Sequence, residues 1–572
     1  MTNVFSLLNM GVNSLAAQQM AINICGHNIA NVNTPNYSRQ EAVLTSSSPN
    51  CLGLLQIGTG ADIAQVVQYR DAYALSQVNL HGGLQAFWDR KNSFISEIEQ
   101  SLVSTNAQDL GETMTEFWQA VEQVGNGPEG SAERQNLVQT AQQLTSAIRG
   151  LNAELNSQRT FANYETSQIV ESVNQLAAKI AELNTGITAS NANQATPAND
   201  LIDRRARALD ELSKLIDYNA IEDNQGAVTV FVGDNRTLVS RDQYNKLVCR
   251  ANVENSSFND VYLDDRNSQH NITSFIDGGK LGADIQARDK MIVSYLDELD
   301  ELTKTLLKTV NQAHSKGYAL RDQSNVTGAY AVYGSTIALN DALNLQGGSN
   351  LAYDSEAGTF NITITQGGET VQSVTVAVDP NVDSLQDVVN RINSSTTLLV
   401  ANVSQNKLQI TGLDDHQFVL GKDTGGVLAQ LGVNVLLTGF DSHDIQVAAP
   451  IAEDPTLIAA GATFSTGDGE NALALSKLAD KPLLKGGTAT LNEFFDSMAT
   501  RAGNEASTAD FQLTQETDNV SFYENLRDQT SGVSLDEELA NLVTYQQAYN
   551  STAHFISVVN SMIQTVLDKL GS

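Results

Sequence analysis

Apolar residues recur at alternating steps of three and four along both ends of the chain, and the longest such run lies at the C-terminus. Leu535, Leu542, Tyr549, Ile556, Ile563 and Leu570 stand seven apart, and Tyr545, Thr552, Val559 and Val566 follow three residues after the inner members. That heptad predicts a helix from Ser534 to Leu570 with one seam for a partner helix. Ser534 as N-cap and Glu537 at the third helical position predict a capping box at its start. At the other end Phe5, Leu8, Val12, Leu15, Ile22 and Ile29 keep the same spacing, with Gln19 and Gly26 in the weak positions. No Asp, Glu, Lys or Arg occurs from Met1 to Ser38 or from Leu539 to Leu567. A lone solvated helix carries charge on its outer face. These two arms are therefore expected to lie against one another and then against other protein. Asn, Gln, Ser and Thr interrupt both arms throughout, which excludes a membrane span.

Between the arms the period changes several times. Pro35 ends the first helix, and Asn36 suits the left-handed turn position behind it. A strand-like, loop-rich tract runs to about Tyr69, broken by Gly53, Gly58 and Gly60. Helical spacing returns from Asp71 to about Val124, and a long helix is expected from about Ser131 to Asn184. Thr185 to Asn199 reads as a loop and Asp200 to Ile216 as another helix. Alternation at 227–232 and 237–239 marks a β-rich stretch to about Asp277, after which Leu281 to His314 is helical. A second β-rich stretch holds a hairpin (360–364 with 374–378), a short helix capped by Ser384 with Asp387 at its third position, and strands at 398–403 and 407–410. Helical pattern then resumes from Leu491 to Asp528.

The fold class that follows is α+β and multidomain: terminal coiled-coil helices and a long helical bundle with two inserted β-rich domains. Boundaries are expected at 1–38 with 534–572 for a terminal coiled-coil assembly domain, and at 39–216, 281–330 and 483–533 for the bundle with its extended N-terminal tract. The first β insertion is expected at 217–280. The second, containing a ββαββ unit, is expected at 331–482.

Composition narrows the function. The 572 residues carry a formal net charge of −33, nearly all of it between Arg39 and Glu538, which argues against a nucleic-acid partner. The N-terminus lacks the basic and continuously apolar regions of a cleavable secretory signal, so any export uses another route. Cys25, Cys51 and Cys249 form neither a disulfide framework nor a metal pattern. Of seven histidines, no two have helical ligand spacing. The best local clusters, Asp414-Asp415-His416 and Asp441-Ser442-His443-Asp444, read as polar loops, and no phosphate loop or nucleophile motif is present. The expectation is a non-enzymatic protein with no catalytic, cofactor or metal site.

Asn28-Ile29-Ala30-Asn31-Val32-Asn33-Thr34-Pro35, followed by Tyr37-Ser38-Arg39-Gln40, resembles the N-terminal signature of the flagellar rod, hook and hook-associated proteins. At the other end, 531–538 and Tyr545-Gln546-Gln547-Ala548-Tyr549 are similar to that family's C-terminal motif, in particular in members at the junction of hook and filament. Asp200-Leu201-Ile202-Asp203-Arg204-Arg205 and Asn471-Ala472-Leu473-Ala474-Leu475 look like internal landmarks of the same proteins. Asn36 stands where the family usually has Gly, and both tolerate the left-handed turn.

The resemblance implies an extracellular structural part of the flagellum, exported unfolded by the flagellar type III route. It implies a ring of identical copies between hook protein and hook-associated protein 3, with an export chaperone on the C-terminal helix beforehand. No nucleic-acid or membrane partner is implied. The motif residues expected to matter are Asn31, Asn33, Thr34, Pro35, Tyr37, Ser38, Arg39 and Gln40. The expected assembly interface is Phe5, Leu8, Val12, Leu15, Ile22 and Ile29 with Leu535, Leu542, Tyr545, Tyr549, Ile556, Val559, Ile563, Val566 and Leu570. Hook-associated protein 3 itself, or a flagellar protein with an enzymatic or adhesive outer domain, is the alternative.

Overall fold

A computed structural model describes residues 2–52, 55–103, 110–193, 198–265, 268–345 and 350–570, apart from the side chains of 2, 3, 50–52, 55–57, 192, 193 and 570. The chain divides into two compact units, one of Met1–Asn92, Ala162–Ala287 and Thr508–Ser572, the other of Ser93–Phe161 and Arg288–Ser507.

Helix α1 (Thr2–Ala30) opens the chain. Strand β1 (Gln40–Ser46), the small β2 (Asn50–Leu52) and β3 (Leu55–Ile57), and β4 (Ala61–Gln68) follow, with β1 and β4 antiparallel. Of the helical stretch expected from Asp71 to Val124, α2 (Ala72–Val103) and α3 (Leu110–Asn126) are helical, and 104–109 lie outside the described residues. Next come α4 (Ser131–Asn193) and α5 (Asn199–Leu215). The first β stretch holds β5 (Tyr218–Glu222), β6 (Val228–Val232), β7 (Arg236–Ser240) and β8 (Gln243–Tyr244) in one meander. A second sheet has β9 (Lys246–Asn252) and β11 (Gln269–Asn271) flanking β10 (Phe258–Asp264). The helix expected from Leu281 to His314 is broken: α6 (Gly279–Gln286) passes through a π-helical turn (Ala287–Met291) into α7 (Ile292–His314).

The expectation that Thr185 to Asn199 is a loop is corrected, since α4 continues helically to Asn193. Thr185, Gly186, Thr188 and the asparagines beyond are poor helix formers, so tertiary contacts hold this end. Ile187 is fully buried. Asparagines about three turns apart on α4 bind strand backbone. Asn163 Oδ1 accepts from Asn259 N–H (2.8 Å), Asn174 brackets Leu247 (2.8 and 2.9 Å), and Asn184 brackets Val228 (2.8 and 3.0 Å). Asn184 also accepts from the buried Arg205 Nη1 at 3.0 Å. These side chains satisfy strand groups that would otherwise face an apolar core of Val173, Ile180, Leu212, Val230, Leu238 and Val261.

In the second unit β12 (Asn325–Thr327) precedes the hairpin of β13 (Gly358–Gln366) and β14 (Glu369–Val378). Helix α8 (Leu385–Ser395), β15 (Leu399–Ser404), β16 (Lys407–Gly412) and β17 (Gln417–Gly421) complete two three-stranded sheets, β14-β13-β17 and β12-β16-β15. The expected cap of α8 is present: Ser384 N–H donates to Asp387 Oδ2 (3.0 Å) and Asp387 N–H to Ser384 Oγ (3.3 Å). Phe360, Ile362, Leu385, Val388, Leu408 and Phe418 are buried in the core between these elements. Short pieces follow: α9 (Val427–Gln430), β18 (Leu437–Thr438), β19 (Gln446–Val447), α10 (Ala449–Glu453) and α11 (Glu470–Ser476). Two long helices close the chain, α12 (Leu491–Ser531) and α13 (Leu535–Leu570).

Replacing Asn184 by Ala leaves Val228 N–H and C=O without these partners. The expected cost is about 2–4 kcal/mol, read as lost hydrogen-exchange protection in β5–β8 with β13–β17 unchanged. Undiminished protection in β6 would refute the role given to this side chain.

Candidate assembly interface

Helices α1 and α13 pack antiparallel, but α1 does not use the row that its large apolar residues suggested. Its deeply buried positions are Gly11, Ala17, Ala21, Cys25 and Asn28. Steps of six, four, four and three residues keep them on one broad helix face. A Cβ at Gly11 would lie 2.6 Å from Ile556 Cγ1, so the two helices meet here closely enough that only glycine fits. Phe5 and Val12 are 55% and 50% exposed, and Leu8, Leu15, Ile22 and Ile29 are half-buried. The intramolecular seam is thus made of small residues, and the large ones lie beside it or face away.

Helix α13 presents most of its heptad to α1. Val559 is buried, while Leu542, Tyr545, Tyr549, Ile556 and Ile563 are half-buried. Leu535 and Val566 are exposed at 46% and 41%, and the Leu570 side chain lies outside the described residues. A further set of α13 side chains also faces outward: Leu539, Val543, Phe555, Val558, Met562 and Leu567.

The motif after α1 ties the arms to the rest of their unit. Asn36 takes the left-handed conformation (φ 55°) that the turn after Pro35 requires, and its Oδ1 accepts from Arg527 Nη1 at 2.8 Å. Thr34 Oγ1 donates to Asn31 Oδ1 (3.1 Å), and Asn31 Nδ2 donates to His27 C=O (3.0 Å). Both bonds close the end of α1. Asn33 is exposed, and nothing in the structure explains its place in the motif.

Asn28, fully buried, is the hub that sequence reasoning left among the flanking residues. Its Oδ1 accepts from Tyr37 Oη (2.8 Å) and from Gln40 N–H (3.1 Å), and its Nδ2 donates to Gln40 C=O (2.8 Å). The sequence sign of this was a polar residue in register with the small residues Ala17, Ala21 and Cys25.

Ser38 N–H and Gln68 Nε2 both donate to Asp203, at 3.2 and 2.7 Å, and Gln40 Nε2 donates to Asp200 at 3.2 Å. The 200–205 landmark is therefore the receptor of the motif. Burial pushes the Asp203 carboxyl up to about 6, against the pull of the two hydrogen bonds.

Arg39 joins the two ends. Its N–H donates to Ser531 C=O (2.9 Å), its Nε to the nearly inaccessible Glu538 Oε1 (2.8 Å), and its Nη1 lies 3.5 Å from Glu537. The expected box at α13 is corrected by this arrangement. Glu537 N–H sits a long 3.5 Å from Ser534 Oγ, while the Glu537 carboxylate leans to Arg39. A nearby cation outcompetes a backbone N–H for a carboxylate. Burial, then Glu538, pushes the Cys25 thiol up to about 12, which makes it an inert core group.

Chemistry of other kinds has little to stand on. Among the described residues no three His, Cys, Asp or Glu side chains converge as metal ligands, and no helix is long and apolar enough to cross a membrane. Asp414 and Asp415 form a left-handed turn, and Asp441 and Asp444 accept from neighbouring backbone N–H groups. Ser268 and Asp265 both approach the same His270 nitrogen, Nε2 (2.7 and 3.2 Å), so they do not make a nucleophile relay.

Asp203 sets a pH dependence. Its folded pKa lies above the unfolded value of about 3.9, so its contribution to stability is complete below about pH 4 and is lost as pH rises through about 6. Asp284, buried and also pushed up to about 6, adds in the same direction. Burial also raises Asp217, Glu298 and Asp423, so Asp203→Asn is expected to remove part, not all, of the resulting fall in stability between pH 4 and 6. Denaturant midpoints across that range measure it, and an unaltered slope would contradict the assignment.

The comparisons with known proteins follow the same layout. Residues 95–328 match the family described as flagellar hook-associated protein FlgK helical domain. Residues 8–37 match flagella basal body rod protein, and 527–569 match flagellar basal body rod FlgEFG protein C-terminal. The chain is 24% identical to flagellar hook-associated protein 1 of Salmonella typhimurium, over 98% of this chain and 99% of that one. The protein of the same description from Bacillus subtilis is 22% identical over 100% and 99%. The flagellar hook junction protein FlgK from Burkholderia pseudomallei shares the fold, with a TM-score of 0.51 at 15% identity, covering 80% of this chain and all of that one. With both arms and the helical part between them matched in order, the chain is similar along its whole length to the flagellar hook-associated proteins and is a structural component of the bacterial flagellum.

Proposed function

We propose that many copies of this chain form the ring that joins hook to filament, with α1 and α13 as its inner lining. The ring adjoins hook protein on one side and hook-associated protein 3 on the other. It acts through assembly rather than catalysis, outside the cell, after export by the flagellar type III route. An export chaperone covers α13 until then. The full-length similarity to hook-associated protein 1 of three bacteria supports this reading.

One observation carries it. The arm pair buries its small-residue seam and leaves Phe5, Val12, Met20, Leu539, Val543, Val558, Met562 and Leu567 exposed, each by 40% or more. Water-facing rows of this length on two uncharged helices are a standing aggregation hazard unless other protein covers them. Covering a large apolar side chain contributes about 1–2 kcal/mol, so several per copy repeated around a closed ring would hold it firmly.

Deleting Val543 to Ser572 is expected to abolish attachment of filaments to hooks. Because that deletion also removes the seam, a second variant, Val543→Asp with Met562→Asp, charges only the outward row. It is expected to leave the monomer's helicity intact by circular dichroism and still to release filament protein into the medium. Normal filament attachment in both variants would refute the proposed lining.

A further inference from the structure

A cavity of about 450 Å³ opens in the second unit, beside β12 and β16 and under α10. That size falls in the range of small-molecule sites. Its walls mix apolar and polar groups; Val326, Leu420, Ile451 and Leu457 form the apolar part, and the rings of Tyr330 and Phe440 stand 5.4 Å apart on one side. Leu420, Tyr330 and Ile451 are almost wholly buried, so these walls belong to the packed interior of the unit.

Beside the neutral polar side chains Gln323, Thr327, Asn434, Thr438 and Gln446, two side chains of opposite charge line the cavity. Lys407, the first residue of β16, donates one Nζ hydrogen to Ala329 C=O at 2.7 Å, which fixes the ammonium and leaves two donors. Asp444, between β18 and β19, accepts Phe440 and Asp441 N–H on Oδ1 at 2.6 and 3.2 Å, leaving Oδ2 as its free oxygen. Tyr330 spends its hydroxyl hydrogen on Gly439 C=O at 3.0 Å and so cannot donate to a ligand carboxylate. Among the described residues neither Lys407 nor Asp444 forms an ion pair. The chain has 66 acidic residues for 33 basic ones, so scarcity of carboxylates does not explain an unpaired lysine. Lys407 and Asp444 are both half-buried, so water answers their charges until a ligand with the complementary charges replaces it.

We propose that this cavity binds a free α-amino acid with an aliphatic side chain, its carboxylate on Lys407 Nζ, its ammonium on Asp444 Oδ2 and its side chain among Val326, Leu420 and Ile451. A ligand with one charge would leave the other protein charge unanswered, and a fully apolar ligand would leave both.

The test is calorimetric titration of the full chain with L-leucine, with 4-methylpentanoate (no ammonium) and with 3-methylbutylamine (no carboxylate). Saturable 1:1 binding of L-leucine is expected, and each half-ligand should bind about tenfold more weakly, the factor for one lost charge-assisted contact. Lys407→Met should weaken L-leucine by a similar factor yet leave 3-methylbutylamine unchanged. Asp444→Asn, which keeps the oxygen that accepts Phe440 N–H, should weaken L-leucine yet leave 4-methylpentanoate unchanged. This crossed pattern cannot arise from misfolding. No saturable heat with L-leucine up to about 10 mM, equal affinity for all three compounds, or equal losses on all ligands in both variants would each overturn the proposal.

Discussion

Arg39 and Glu538 are 499 residues apart, and their contact makes the two ends of the chain one object. Glu538 is almost inaccessible to water, so a carboxylate there is tolerable only with a cation hydrogen-bonded to it. Removing one partner of such a pair costs about 3–5 kcal/mol, because the other charge is left buried and alone. Arg39 cannot move freely to suit, since its backbone is held through Ser531 and Tyr69 and the residue before it is held through Asp203. The register of α13 against α1 therefore depends on the motif behind α1. Slipping one helix by a turn would break the ion pair and drive Ile556 out of the space that Gly11 provides.

What could be read from the residues divides along physical lines. The α13 heptad, the turn at Asn36 and the cap at Ser384 were legible because each rests on local chemistry or on large side chains at fixed spacing. The inner face of α1 was not legible from hydropathy. Gly11, Ala17 and Ala21 add little to an apolar pattern, yet their smallness is what lets the helices touch, and spacing of small residues would have been the better guide. The end of α4 was missed for the opposite reason. Local propensity argues for a loop there, and Asn184 with Ile187 overrides it through contacts with strands more than forty residues later. Asn28 shows the limit in one residue: a buried amide with three hydrogen bonds reads in sequence as one more polar position.

Geometry and charge together explain why the arms suit assembly although the whole chain is so acidic. Two copies at −33 each repel strongly wherever their carboxylates come within the Debye length of about 8 Å. From Leu539 to Leu567 no acid or base is present, so approach along this row meets no like charge. The three acids just before it, Asp536, Glu537 and Glu538, would be the exception, and two of them are taken up by Arg39 of the same chain.

The same economy of charge bears on why the seam is polar in its details rather than greasy throughout. An arm with large apolar residues on every face would collapse on itself or on its neighbours without a preferred register. Here the close contact is reserved for glycine and alanine, the register is fixed by the ion pair of Arg39 with the buried Glu538 and by an asparagine hub, and only the outward rows are left to nonspecific burial. The contacts that fix the arrangement within the chain thus lie on one face of the two helices, and the contacts proposed between chains on another. On that proposal, strengthening one does not require altering the other.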